Sequence, residues 1–368
     1  MTARDWTYAQ VCDQLLTRSP HPGEPAVHVG TSGSTGTPKI ARVSAAALRA
    51  SAESTLEVLG GPGQWLLATP ATHIAGIQVL VRSAVAGIEP VTLGPGPFTP
   101  ERFAAATERL DHPRRYTSLV PPQVLRLLDS EPGRRALAGL TAVLVGGSAV
   151  PRTLRDRAAE AGASIIATYG MSETAGGCVY DGVPLPVTRM RIEAPDEEGV
   201  GVIELTGSTL ADGYVNQPPL TAATVRLATD GTRWFRTDDL GRITDGVLSV
   251  LGRRDDVINS GGLKVAPHLV EEAAAAALPE LGETVVVATP DPTWGEAVTL
   301  VLVGEQTPAL ADVRDALRPL LPAHALPTRV VAVPEIPLLG PGKPDRRALR
   351  GQVCGDRRRG NGSDLPPR

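Results

Sequence analysis

The segment Thr31-Ser32-Gly33-Ser34-Thr35-Gly36-Thr37-Pro38-Lys39 follows the apolar run Ala26–Val29 and combines glycines, hydroxyls and one lysine. Glycines let the backbone turn several N–H groups to one side, hydroxyls add donors and Lys39 adds positive charge. Together they make a cradle for a polyphosphate. The Walker order G-x-x-x-x-G-K-[ST] is absent, and the plainer alternative is an ordinary Ser/Gly-rich loop. A second motif, Thr168-Tyr169-Gly170-Met171-Ser172-Glu173-Thr174, closes an apolar run. Glu173 is a hard oxygen ligand suited to a Mg²⁺ that bridges phosphates. Tyr169 offers a flat face to a purine and Thr174 a hydroxyl near a phosphate. Gly147 and Ser148, in Val145-Gly146-Gly147-Ser148-Ala149, either admit a flat base or form a tight strand-to-helix turn. Asp239, after Trp234-Phe235-Arg236-Thr237-Asp238, supplies a carboxylate of the kind that grips ribose hydroxyls, with Arg253 to assist. Lys343 stands in the Gly/Pro-rich loop Pro337–Pro344, where a point charge can stabilise charge developing between a carboxylate and an α-phosphate. A solvated surface loop is the alternative there.

These residues need elements to hold them. Between about 26 and 250, short apolar runs alternate with Ala/Arg-rich segments of helical period. Strands are expected at Trp65–Thr69, Tyr116–Val120, Ala142–Val145 and Ser164–Thr168, all buried, and helices at 45–59, 101–110 and 151–162. This is an α/β layered pattern. Closely spaced strands at Val202–Leu205, Trp234–Arg236 and Val247–Leu251 indicate a β-rich subdomain. A charged turn over 252–256 then precedes a small α+β domain, 257–353, with helices at 267–278 and 309–320 and strands at 284–289, 297–303 and 329–333. The expected organisation is a large domain over 1–251, a hinge, a small mobile lid domain, and a disordered charged tail over 354–368.

Composition narrows the function classes. With 368 residues and 42% hydrophobic content, the chain can bury two cores. A net charge of −4 gives no footprint for nucleic acid or an anionic membrane surface. No run is long enough to span a bilayer, and the N-terminus lacks a signal peptide's apolar stretch. Cys12, Cys178 and Cys354 show no metal-ligand spacing, which suits a reducing cytoplasm. Of 36 basic residues only Lys39, Lys264 and Lys343 are lysine. In an arginine-rich chain, lysine persists where a compact mobile charge is needed, or by chance.

In order along almost the whole chain, from about Val27 to Leu349, these motifs resemble those of the adenylate-forming superfamily: acyl-CoA synthetases, luciferases and peptide-synthetase adenylation domains. The matching segments are the loop from Thr31 to Lys39, Tyr-Gly-x-Ser-Glu-Thr, Thr-x-Asp, Gly-Arg-x-Asp-Asp, Ser-Gly-Gly and the late Gly-Lys. The resemblance implies that ATP and Mg²⁺ are bound, that Glu173 ligates the metal, and that Asp239 and Arg253 bind the ribose. Asp238 stands where the family usually has glycine. It further implies that Lys343 bridges carboxylate and phosphate during adenylation. Asp255 would then be the hinge of a rotation that presents Gly261, Gly262 and Lys264 for attack by the thiol of CoA. For Lys264 a surface role is an equal alternative.

The phosphate loop begins near residue 30, whereas most of the superfamily carries a large portion before it. In this the chain resembles the short 2-succinylbenzoate–CoA ligases of menaquinone synthesis in actinobacteria, as does the segment Pro70–Arg82. His73 falls at a gate position, or is a satisfied core histidine. Arg82, in an apolar run, wants an anionic partner. A substrate with one carboxylate to activate and another to recognise would supply it; the alternatives are a structural salt bridge or a helix end reaching solvent. Met171 and Ser172 complete the candidate acyl-substrate set. Other aryl or fatty acyl-CoA ligases, and a free-standing enzyme loading a carrier protein, are the competing readings. A homodimer would cover sheet edges left open by the short N-terminal portion.

Overall fold

The computed structural model describes residues 6–13, 25–31, 39–339 and 343–355. They fall into two compact units, divided so that Asp238–Leu240 and the residues from Val250 onward belong to the second. Among the described residues no helix is long and apolar enough to cross a membrane. The tail from Asp356 onward lies outside the described residues.

In the first unit, β1 (Pro25–Thr31) and β2 (Lys39–Ser44) run antiparallel with Thr31 opposite Lys39. Ser44 ends β2 and caps the next helix, Ala45–Val58, its hydroxyl accepting from the Ala47 N–H at 3.2 Å. β3 (Gln64–Leu67), β4 (Val91–Thr92), β5 (Arg115–Leu119), β6 (Ala142–Val145) and β7 (Ile165–Met171) are parallel. β8 (Gly176–Tyr180) and β9 (Val183–Pro184) add antiparallel strands. Among the described residues they form one sheet in the order β4-β3-β5-β6-β7-β8-β9.

The parallel strands are apolar on consecutive residues because both faces are covered. Leu66, Val143 and Val145 pack with Phe103, Val124, Leu127 and Leu137 on one face. Trp65, Ala142 and Leu144 pack with Leu56, Val79 and Tyr180 on the other. The helices Pro100–Thr107, Pro121–Leu128 and Glu131–Ala138 thus cover one side, and Ala45–Val58 and Ile74–Ala86 the other. Each fully buried Leu or Phe contributes about 1.5–3 kcal/mol. Contrary to the buried strand expected from Ser164–Thr168, β7 is only partly buried along its whole length.

β10 (Thr188–Glu193), β11 (Gly201–Gly207), β12 (Gly213–Tyr214), β13 (Val225–Leu227), β14 (Arg233–Thr244) and β15 (Val247–Arg253) follow. β12 leaves this group to pair with β2; the others form a sheet in which β14 is bonded to β11, β13 and β15.

The second unit is built on β16 (Ile258–Ser260), β17 (Leu263–Val265), β18 (Thr284–Asp291), β19 (Gly295–Val303) and β20 (Arg329–Val333), in the order β17-β16-β19-β18 with β20 parallel to β19. Alternation along β18 again serves two faces. Val286 and Ala288 pack with the helices Pro267–Ala277 and Leu310–Leu317. Val285 and Val287 pack with Leu349 and Val353 of the helix Arg346–Gly355. A short antiparallel pair, β21 (Leu338–Leu339) and β22 (Lys343–Pro344), leads into that last helix.

Candidate active site

At the C-terminal end of β7, Tyr169, Gly170 and Met171 run into a 3-10 turn, Ser172–Thr174. The ends of parallel strands are where open α/β sheets place ligands. Ala175 (φ 54°) and Gly176 (φ 99°) then reverse the chain into β8. The returning strand is so close that a Cβ on Gly170 would lie 2.1 Å from the Gly176 carbonyl oxygen, so only glycine fits.

Within this turn Glu173 is partly buried. Its Oε1 accepts from the Tyr214 hydroxyl at 2.7 Å, and its carbonyl accepts from the Ala211 N–H at 2.8 Å. Tyr214 lies on β12 opposite Ala41, so Glu173 is fastened to the strand that begins at Lys39. Beside Tyr214, burial raises the pKa of the Asp212 carboxyl, against the opposing pull of Arg42 and Arg233. From the other side, buried Gln78 donates to the Ala175 carbonyl at 2.7 Å. The turn that carries Glu173 is therefore held from β12 and from the helix Ile74–Ala86. Thr31 and Lys39 stand as a cross-strand pair at the two ends of the candidate phosphate-loop segment, both partly buried. Ser32, Gly33, Ser34, Thr35 and Gly36 lie outside the described residues.

The fold corrects one role. Thr174 is fully buried, its hydroxyl accepting from the Met171 N–H at 2.9 Å and donating to the Gly176 carbonyl at 2.7 Å. It locks the turn and does not offer itself to a phosphate. Ser172 is buried and Met171 partly so. Gly147 (φ 86°) and Ser148 are exposed after β6. Before them, a Cβ on Gly146 would lie 2.4 Å from the Thr168 hydroxyl, so the small residue allows close packing of β7.

His73 is exposed at the N-cap of the helix Ile74–Ala86, which excludes the core-histidine reading. About two and a half turns along that helix, Arg82 sits among Trp65, Ser118 and Tyr180. It is 3% exposed, which excludes a helix end reaching solvent. Its guanidinium donates to the Ser118 hydroxyl at 3.4 Å and the Tyr180 hydroxyl at 3.3 Å, and stands 4.9 Å from the Trp65 ring centroid. Its Nε has no hydrogen-bond partner, and no described carboxylate forms a salt bridge with it. Burial accordingly lowers its pKa, with Tyr180 acting in the opposite direction.

In the second unit, Arg253 pairs with the Asp238 carboxylate at 3.1 Å, so Asp238 tethers the arginine. Asp239, the next residue of β14, is partly buried. Asp255 is exposed in the turn that Asp256 and Val257 close on the Arg253 carbonyl. Gly261 (φ 62°) and Gly262 (φ 87°) form the two-residue connection between β16 and β17. Both left-handed positions of such a hairpin call for glycine. Gly261 also packs under Trp294, whose carbonyl accepts its N–H at 2.9 Å. Lys264 is exposed on β17, and Lys343 lies in β22.

Sequence reasoning missed Tyr214 and Gln78. A Gly-Tyr pair and an isolated glutamine carry no chemistry alone; only the pairing of β12 with β2 and the packing of one helix bring them to Glu173. Among the described residues no group of three or more His, Cys, Asp or Glu is arranged for a metal. A single oriented carboxylate such as Glu173 fits Mg²⁺, which binds through one or two carboxylates together with substrate phosphates and water.

The model of the AMP-binding enzyme family matches residues 3–215, and that of the AMP-binding enzyme C-terminal domain matches residues 271–343. A relative from Mycobacterium tuberculosis H37Rv, named "Probable 2-succinylbenzoate--CoA ligase", is 44% identical over 338 residues, spanning 90% of this chain and 85% of its own. From the same organism, the medium/long-chain-fatty-acid–CoA ligase FadD8 is 32% identical over 87% of this chain and 60% of its own. Among solved structures, the o-succinylbenzoate CoA synthetase (MenE) of Bacillus subtilis in complex with the acyl-adenylate intermediate OSB-AMP superposes with a TM-score of 0.77. It is 26% identical, with 90% of this chain and 70% of that one covered. With the braced Glu173 turn, the cross-strand Thr31–Lys39 pair and a separate unit carrying Lys343, these matches establish that the chain belongs to the AMP-binding enzyme family.

Proposed function

We propose that the protein is an AMP-forming 2-succinylbenzoate–CoA ligase of menaquinone synthesis. It activates the succinyl carboxylate with ATP and transfers the acyl group to the thiol of CoA. The similarity to the mycobacterial ligase over 85% of that protein's length carries this reading. Glu173, oriented by Tyr214, would hold the Mg²⁺ that neutralises phosphate charge. Thr31, Lys39 and the loop between them grip the polyphosphate, and Tyr169, Gly170, Gly147 and Ser148 border the base. Asp239 and Arg253 hold the ribose. In the first half-reaction the carboxylate attacks the α-phosphorus and pyrophosphate leaves, with Lys343 stabilising the charge that develops. In the second the thiol attacks the acyl carbon and AMP leaves; the glycine hairpin Gly261–Gly262 is the segment presented to the thiol, and Asp255 is the hinge between the two states. The cysteines are free thiols, which supports a reducing cytoplasmic setting.

Arg82 supports the dicarboxylate in particular. A buried guanidinium whose described partners are all neutral lacks a counter-ion, and the benzoate carboxylate would supply one. Arg82→Met, which keeps the buried stem, is expected to raise the KM for 2-succinylbenzoate about 10- to 100-fold while leaving the KM for ATP within about twofold. An unchanged KM for the acid would remove Arg82 from the pocket.

ATP–pyrophosphate exchange across 2-succinylbenzoate, benzoate, salicylate, medium-chain fatty acids and amino acids tests the reading. Selective exchange with 2-succinylbenzoate is expected. Preference for a monocarboxylate would keep the adenylation chemistry and overturn the substrate.

A further inference from the structure

Lys343 sits on a two-residue strand, β22, three residues before an ion pair that the proposed mechanism does not use. Arg346, the first residue of the last helix, meets Glu271 of the helix Pro267–Ala277 in fork-to-fork geometry, Nη1 on Oε1 and Nη2 on Oε2, the latter at 2.9 Å. Both side chains are mostly buried, at 22% and 18% exposure. The pair also grips one residue of the sheet. Glu271 accepts from the Val286 N–H at 2.6 Å, and Arg346 donates to the Val286 carbonyl at 2.7 Å. Val286 lies on β18, the end strand of its sheet, whose outward backbone groups would otherwise have no partner strand. Two helices are thereby closed onto one point of a sheet edge.

The chain between this point and Lys343 is short and also tied. The Asp345 N–H donates to the Pro337 carbonyl at 2.7 Å, fastening the two ends of the β21–β22 hairpin, and the Asp345 carboxylate accepts from the Ala348 N–H at 2.9 Å, starting the helix. The guanidinium is held charged: burial works against it, but Glu271 and, through space, Asp256 of the turn after β15 more than offset that and raise its pKa.

We propose that Arg346 and Glu271 are positioning residues for the adenylation half-reaction, a clamp that fixes where the Lys343 hairpin leaves the body of its unit. The inference rests on the reading that Lys343 acts in adenylation and not in thioester formation. A bidentate pair that also binds both backbone groups of a strand residue sets position and orientation together. Its loss lets the hairpin root shift, and displacements of about 1 Å at a reacting group cost on the order of 100-fold in rate.

The test compares Arg346→Met, Glu271→Gln and Lys343→Ala in the full chain. ATP–pyrophosphate exchange reports the first half-reaction, thioester formation from supplied 2-succinylbenzoyl-adenylate and CoA the second, and thermal unfolding the fold. Arg346→Met is expected to lower exchange about 10- to 100-fold with thioester formation within about threefold. Glu271→Gln, which keeps a hydrogen-bonding side chain of the same shape, should show a smaller loss of the same kind. Exchange unchanged in a folded Arg346→Met overturns the clamp, as does an equal fall in both half-reactions. Should Arg346→Met fail to fold, Glu271→Gln is read by the same two criteria. If Lys343→Ala itself spares exchange, the underlying assignment of Lys343 has failed, an outcome separate from failure of the clamp.

Discussion

Lys343→Ala is expected to lower adenylation by about 100- to 1000-fold, yet to leave thioester formation from a supplied acyl-adenylate within about threefold. The asymmetry follows from the charge each step develops. When a carboxylate attacks the α-phosphorus, two anionic groups approach and negative charge accumulates on the bridging and leaving oxygens. A lysine placed there stabilises the transition state more than the ground state. When a thiol attacks the finished adenylate, the acid is already neutral as a mixed anhydride and the demand for a cation between the two groups has gone. Arginine at this position should not restore the rate, because a planar fork cannot take the place of a compact point charge. Pyrophosphate exchange and single-turnover thioester formation separate the two steps. An equal loss in both would show that Lys343 does not divide its work in this way.

Glu173→Gln is expected to cost adenylation about 100-fold and to move the Mg²⁺ requirement to higher concentration. The carboxylate is aimed by the Tyr214 hydroxyl at 2.7 Å, on a turn that Thr174 and Gln78 keep in place. Glutamine keeps the shape but removes the negative charge, so the site loses affinity for a hard divalent cation. Tyr214→Phe removes only the orienting hydrogen bond and belongs at the mild end of the range for such outer partners, about 10-fold. Mn²⁺ titration followed by electron paramagnetic resonance, in the presence of ATP, reads metal affinity apart from turnover. Unaltered Mn²⁺ affinity in Glu173→Gln would take the metal away from this residue.

The layered architecture was legible because its signals are local. Buried parallel strands such as Ala142–Val145 are short apolar runs bounded by turn residues, and Ala45–Val58 shows helical period over fourteen residues. The helices Pro121–Leu128 and Glu131–Ala138 were not foreseen, since paired prolines and a Pro-Gly step read as turns although proline is at ease in a helix's first turn. At the site, Glu173, Asp239 and Lys343 stood out through motif and residue type. Thr174 was misjudged because a hydroxyl beside a metal-binding carboxylate suggests a phosphate contact, whereas the left-handed reversal at Ala175 turns it inward onto the backbone. Arg82 was legible as an arginine in an apolar run, but its enclosure by Trp65, Ser118 and Tyr180 depends on strands up to 98 residues away in sequence. Arg346 and Glu271, 75 residues apart, gave no sign of meeting.

The most direct test of the central claim is to incubate the protein with ATP, Mg²⁺, CoA and 2-succinylbenzoate and to identify the products by mass. The account predicts 2-succinylbenzoyl-CoA and AMP in equal amounts, with pyrophosphate released and no thioester when CoA is omitted. Formation of ADP, or release of AMP without a CoA thioester, would contradict it.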